Sequence, residues 1–259
     1  MMKSYLLGID IGTSACKVAV FDRNGKVLAA ASGDYPVYYP HEGWAEQNPE
    51  EWWDAVCRAT KETIQKADIT ADEIAGIGID GQSWSAIPID REGNVLANTP
   101  IWMDTRAQSI CDRLNQEIGQ EEIFEVAGNS LQPSYSTAKI LWYKENLPEV
   151  YAKIHKILQS NSYIAFKLTD AVTQDVSQGY GLHCFNMKKG CWDEKMCGRL
   201  GIPMEFLPKI CDCDHVVGTV TGKAAAECGL VEGIPVVAGG LDAACGTLGA
   251  GVIHPGETQ

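Results

Sequence analysis

The sequence predicts an α/β domain, and three observations carry that prediction. Apolar runs separated by glycine turns open the chain, a helical pattern begins at Pro49, and apolar strand patterns return near Ile74, Val216 and Ile234. Tyr5 to Ile11 and Ala15 to Asp22 flank Gly12-Thr13-Ser14, which reads as a β-hairpin with a tight turn. After the turn Asp22-Arg23-Asn24-Gly25, a run from Gly25 to Ser32 adds a third strand and makes a meander. Residues 35–48 are rich in proline and aromatics and read as an irregular loop. Pro49 opens a helix at the position where a missing N–H costs nothing. Trp52, Trp53, Val56, Ala59, Thr60, Thr63 and Ile64 fall on its buried face. Ile74 to Ile79 is an apolar strand, residues 80–85 interrupt the pattern, and Ala86 to Asp90 resumes it. From Arg106 to about Phe206 the reading is mostly helical, with helices expected at 106–118, 121–127, 137–146 and 161–168. Strands expected at 216–221 and 234–238 flank a helix at 222–228. No polar linker divides the chain, so one α/β domain carries a helical excursion.

Composition narrows the function classes. A chain of 259 residues can bury a substantial core, as one large domain or two small ones. Its net charge is −13 and no basic stripe interrupts the acidic surplus, which argues against nucleic acid as a primary partner. The charge suits solubility. The 10 cysteines contain no Cys-x-x-Cys pair, and Cys211-x-Cys213 lacks a second pair at zinc-site spacing. Several lie in apolar runs, where a thiol acts as a small hydrophobe, so they read as reduced thiols of a cytoplasmic protein. Lys3 is followed by no long apolar core with a small-residue cleavage site, and no apolar run reaches membrane-span length. Neither a leader nor a membrane partner is expected. His41, His155, His183, His215 and His254 form no ligand spacing.

Two acidic glycine turns carry the chemistry. Asp10-Ile11-Gly12-Thr13-Ser14 joins a strand end to a bend rich in hydroxyls and backbone N–H groups, with Lys17 close behind. Such a nest suits phosphate oxygens, and a carboxylate beside it suits magnesium held through water. An ordinary hairpin with Asp10 as turn former uses the same residues. Far along the chain, Val236-Val237-Ala238-Gly239-Gly240-Leu241-Asp242 runs an apolar strand into a glycine turn. Its carboxylate stands where a small-residue helix should begin. A carboxylate held there can accept a proton from a bound hydroxyl.

Six segments, in order, resemble the FGGY family of carbohydrate kinases, within the actin/hexokinase/heat-shock ATPase superfamily, and most closely its xylulose-kinase branch. They are Asp10 to Lys17, Gly43 to Trp53, Ile77 to Gln82, Ile101 to Arg106, Ser134 to Trp142, and Gly239 to Gly251. The resemblance covers essentially the whole chain. It implies a ribonuclease H-like (actin-like ATPase) fold with a mixed sheet. Residues 1–251 would form the family's N-terminal domain with a helical insertion at about 106–206, and 252–259 would begin the connection to a second domain. It also implies transfer of the terminal phosphoryl group of ATP to a sugar hydroxyl, with magnesium, in a cleft between the two domains. Asp10 would help hold the metal, while Gly12, Thr13, Ser14 and Lys17 would contact phosphates. Asp242 would be the general base, and Gln82, Ser83 and Trp84 would line the sugar site with Asp104 nearby. The implied partner is a small-molecule sugar, and a homodimer stays open.

Two departures matter. Ser83-Trp84 stands where xylulose kinases present Met-His, and family members are about twice this length. The expected reaction is D-xylulose to D-xylulose 5-phosphate. The alternatives are another acceptor (ribulose, xylitol or gluconate) and a non-catalytic sugar-binding half-domain. Several residues keep two readings. Trp84 suits a sugar platform or a core aromatic, and Asp80 a polyol contact or a turn cap. Arg106 suits a ligand contact or the first turn of its helix. Lys139 and Trp142 match the family yet share one helix face. Asp175 and Ser177 match a family stretch and read as fixing a loop. Trp44, Trp52 and Trp53 read as core.

Overall fold

In the computed structural model, which describes residues 4–258, hydrophobic alternation sets the central sheet. Leu7, Ile9 and Ile11 are buried while Leu6 is half exposed, as a strand with one covered face requires. Tyr5–Ile11 pairs antiparallel with Ala15–Phe21, which pairs antiparallel with Val27–Asp34. On its other edge Tyr5–Ile11 runs parallel to Ile74–Gly81. Pro235–Val237 and then Gly240–Leu241 run parallel along the far edge of that strand. Val216–Thr219 closes the sheet antiparallel to Pro235–Val237. The result is a mixed sheet of 7 strands with the expected meander at one side. Residues 1–3 and 259, at the ends of the expected segments, lie outside the described residues.

One long helix, Pro49–Ala67, packs across the hairpin strands. Asn48 caps it by accepting the Glu50 N–H at 3.0 Å, and Asp68 ends it in the left-handed conformation at φ 52°. Trp52, Ala55, Val56 and Ala59 are buried against the sheet, and Trp53 is nearly so. Ile64, expected on the same face, is only partly buried. Gly33 permits the close approach, since a Cβ there would lie 2.9 Å from the Ala55 Cβ.

The stretch 106–206 holds the four expected helices, at Gln108–Glu117, Gln120–Ala127, Ser136–Asn146 and Ser160–Thr169. It is less purely helical than its sequence suggests. Lys156–Leu158 and Thr173–Asp175 are strands, too short to show a period. Packing also divides it. Tyr163, Ile164, Ala165 and Leu168 return to the core under the main sheet. Ile110, Leu114, Ile123, Ile140, Trp142 and Phe206 belong to a second core. The helix Ser160–Thr169 is buried on most sides, so its sequence shows no apolar face that would have assigned it to the sheet.

The strand along the far edge breaks at Ala238-Gly239, and the chain pairs again at Gly240–Leu241 directly before Asp242. The Ala238 and Gly239 N–H groups donate to His215 O and Cys213 O, each at 2.9 Å. Gly239 has φ +76°, and a Cβ there would lie 1.8 Å from Ile79 O. Gly239→Ala should therefore lower stability to urea by about 3 kcal/mol or more. Gly78→Ala, whose new Cβ meets no atom within 4 Å, should stay within about 0.5 kcal/mol of the parent.

Candidate active site

Strand register brings three carboxylates to one edge. Asp10 is the direct partner of Asp80, Asp80 of Gly240, and Gly81 of Leu241. All three strands run parallel, about 4.8 Å apart, so their carboxyl ends coincide. Asp242 follows at once as the first residue of the helix Asp242–Gly249. Asp10 and Asp80 project from the sheet face opposite the long helix, because they alternate with buried Ile9, Ile11 and Ile79.

The electrostatics tie these groups together. Lys17 Nζ meets Asp10 Oδ2 at 2.8 Å, and both side chains keep solvent contact. Its hydrogen bond to Asp10 raises the ammonium pKa, and the charges of Asp80 and Asp242 add to that. Burial, then the charge and hydrogen bond of Asp10, then the charge of Asp242, push the Asp80 carboxyl up to about 8. Burial also raises Asp242, and Asp10 adds to it, while the Ala243 N–H at 2.7 Å opposes the shift. The two acidic turns recognised in the sequence thus meet at one sheet edge, near enough for the charge of Asp10 to act on Asp242. The surplus negative charge is what a divalent cation relieves, and Asp10 with Asp80 beside it fits magnesium. That ion takes one or two protein carboxylates together with water and substrate phosphates. Among the described residues, no group of three or more His, Cys, Asp or Glu side chains is arranged to hold a metal ion by itself.

The Gly12-Thr13-Ser14 turn is braced from behind. Tyr35 donates its hydroxyl to Gly12 O at 2.6 Å and its N–H to Ser14 O at 3.3 Å. Gln47 Nε2 donates to Thr13 O at 2.8 Å. Every carbonyl of the turn is held, and among the described residues nothing takes the Thr13 or Ser14 N–H. The turn can therefore present donors to an anion. Trp102, which is 44% exposed, donates its indole N–H to Thr13 Oγ1 at 3.0 Å.

The residues expected at the sugar site separate into two groups. Gln82 is buried behind the Gly12-Thr13-Ser14 turn, its amide donating to Gln47 Oε1 at 2.8 Å and to Gly12 O at 3.4 Å. Asp104 is likewise buried. Its carboxylate accepts the Ala45 N–H at 2.7 Å and the Arg106 Nε–H at 2.9 Å, and Arg106 also reaches Glu46 at 2.8 Å. Arg106 lies over the Trp44 ring at 3.8 Å, so this cluster anchors the turn that presents Trp102. Ser83 and Trp84 stay partly exposed. Trp84 has φ +66° and stacks on Tyr135 with ring centroids 4.0 Å apart, with Tyr180 edge-on at 5.8 Å. Gly181 makes room, since a Cβ there would lie 2.5 Å from the indole. A non-glycine residue at positive φ costs free energy and tends to mark a functional position.

Lys139 fixes this wall from inside. Fully buried, its Nζ donates to Trp84 O, Ile101 O and Ser134 O at 2.8, 2.9 and 2.6 Å. Burial pushes its pKa down to about 7, while the three carbonyls favour the ammonium form. Tyr135 and Trp102 were not singled out in the sequence, although both lie within matched segments. Their place in those segments was the signal that could have found them.

Residues 5–249 match the N-terminal domain of the FGGY family of carbohydrate kinases. The chain belongs to the FGGY family. It is 33% identical over 254 residues to a xylulose kinase of Bacillus subtilis, covering 98% of this chain and 51% of that protein. Xylulose kinase from Rhodospirillum rubrum superposes with TM-score 0.92 at 28% identity, over 97% of this chain and 52% of that one. Gluconate kinase from Lactobacillus acidophilus superposes with TM-score 0.85 at 29% identity, over 92% and 48%. The actin-like ATPase fold expected from the resemblance is the one observed. The chain spans about half the length of the curated relatives it matches.

His183 supports the aromatic wall, edge-on to Tyr135 at 5.0 Å. Its Nδ1 meets Thr137 Oγ1 at 3.0 Å, and burial pushes its pKa down to about 4. An unfolded chain binds this proton below about pH 6.5, so between pH 6.5 and 4 the unfolded state carries more protons. Stability should fall as pH drops through that window, by up to roughly 3 kcal/mol from this residue. Urea unfolding at several pH values should show a flatter slope for His183→Gln; an unchanged slope contradicts the assignment.

Proposed function

We propose that the polypeptide carrying this domain transfers the terminal phosphoryl group of magnesium-ATP to a hydroxyl of a pentulose, D-xylulose to D-xylulose 5-phosphate. The observation that carries the reading is the row Asp10–Asp80–Gly240, with Asp242 at its far end. Asp10 ends the strand that leads into the Gly12-Thr13-Ser14 turn, and the charge of Asp242 is felt at Tyr180 of the aromatic cluster, which supports separate tasks for the two. Phosphoryl transfer needs positioning and charge neutralisation rather than covalent chemistry, and separate carboxylates serve those tasks.

Each group then has a definite task. The Thr13 and Ser14 N–H groups and Lys17 hold phosphate oxygens, and Asp10 holds magnesium, which supplies charge neutralisation on the phosphates. Ser83 and Trp84, backed by Tyr135, receive the sugar. Gln82 and Asp104 act one layer back, by holding the two turns. Asp242 accepts the proton of the acceptor hydroxyl as that oxygen attacks the phosphorus in line with the departing ADP oxygen. We place the enzyme in the cytoplasm, where ATP is supplied. The similarity to relatives named xylulose kinase supports the choice of pentulose. A sugar acid such as gluconate is the second reading, favoured by the gluconate-kinase likeness and by the stacked Trp84–Tyr135 pair. A coupled ADP-release assay over a sugar panel separates the two.

Asp242→Asn, in the polypeptide extended to the length of its relatives, should lower kcat by about 100-fold or more while sugar binding by calorimetry changes little. Undiminished turnover rules out the base assignment. Because the Asp242 carboxyl lies above its ordinary value, and only its ionised form accepts a proton, kcat/KM should fall as pH drops through that raised pKa. A pH–rate profile without this acidic limb contradicts it.

A further inference from the structure

The helix that begins with Asp242 has no side-chain cap of its own. Its entrance is held from outside. Ser177 Oγ accepts the Leu241 N–H at 2.9 Å and donates its own proton to Asp175 Oδ1 at 2.5 Å. Asp175 is 1% exposed and fully engaged. Its Oδ1 also accepts the Gln178 N–H at 2.9 Å, and its Oδ2 accepts from Asn161 Nδ2 at 2.8 Å and Gln174 Nε2 at 3.1 Å. Asn161 Nδ2 donates as well to Ala238 O at 3.1 Å. The network therefore grips the Ala238-Gly239-Gly240 turn on one side and the Leu241 N–H on the other.

The chemistry of the pair is directional. A hydroxyl has one proton, and here the buried carboxylate takes it. The Ser177 oxygen is then left as an acceptor aimed at Leu241, the residue preceding Asp242. A Cβ on Gly240 would lie 3.0 Å from Ser177 Oγ, so the turn is seated directly on this hydroxyl. General-base transfer requires heavy atoms about 2.6–3.2 Å apart, and a misplacement of about 1 Å costs on the order of 100-fold.

We propose that Asp175 and Ser177 are positioning residues for Asp242: the buried carboxylate orients the serine hydroxyl, and the hydroxyl pins the Leu241 N–H so that the Asp242 carboxylate reaches the acceptor hydroxyl. This rests on Asp242 being the base. Both act through the turn that carries Asp242, their hydrogen bonds being spent on protein partners.

The test compares Ser177→Ala, Asp242→Asn and the double variant in the polypeptide extended to the length of its relatives. Rates are expressed per folded molecule after urea titration of each protein. Ser177→Ala should lower kcat by about 10- to 100-fold with the sugar KM within about 3-fold of the parent. In the Asp242→Asn background, the same change should have almost no further effect on kcat, because Ser177 acts through Asp242. Full kcat in Ser177→Ala overturns the proposal, as does a loss that adds in full to that of Asp242→Asn. If Asp242→Asn is itself fully active, the base reading fails first. If Asp242→Asn is impaired and Ser177→Ala is not, the positioning role alone fails.

Discussion

The parallel, in-register pairing of Tyr5–Ile11 with Ile74–Gly81, and of the latter with Gly240–Leu241, is the constraint on which the site depends. It forces Asp10, Asp80 and Asp242 to one edge, where like charges repel in a partly dry setting. Burial first, and then the charges of Asp10 and Asp242, raise the Asp80 carboxyl, and Lys17 opposes only part of that shift. Such a cluster weakens a fold unless its surroundings over-determine it. Here they do, through turns braced at their carbonyls, a glycine that alone fits its place, and a buried polar layer behind the strand ends.

That layer has a consistent logic. Ser160 Oγ and Gln178 Nε2 both donate to Gln82 O, Gln178 Nε2 also donates to Gly81 O, and Gln82 bonds Gln47. Lys139 ties Trp84, Ile101 and Ser134 by their carbonyls. These groups hold backbone carbonyls from behind, while the buried Gln82 Oε1 and Gln178 Oε1 find no partner among the described residues.

Much of this was legible in the sequence where local rules suffice. Gly12-Thr13-Ser14 between apolar runs gave the hairpin, Pro49 after Asn48 gave the long helix, and Gly239 before Asp242 gave the turn and helix. What escaped has a physical reason. Burial of Gln82 and Asp104 is decided by partners far along the chain, Gln47 and Gly12 for Gln82 and Ala45 for Asp104, which no local pattern reveals. The sequence left Asp80 between a turn cap and a polyol contact. Its position inside the strand Ile74–Gly81 removes the turn cap, and register sets it between Asp10 and Gly240. The helix Ser160–Thr169 lacks an apolar stripe because it is buried almost all round. Strands of two or three residues, such as Thr173–Asp175, carry too few positions for alternation to show.

The shared field of these carboxylates is measurable in this chain without substrate. Carboxyl titration followed by carbon NMR, in the parent and in Asp10→Asn, reads it directly. Loss of the neighbouring charge should bring the Asp80 midpoint down from about 8 toward the ordinary carboxylate range. An Asp80 midpoint that does not move when Asp10 is neutralised would contradict the convergence on which the site rests.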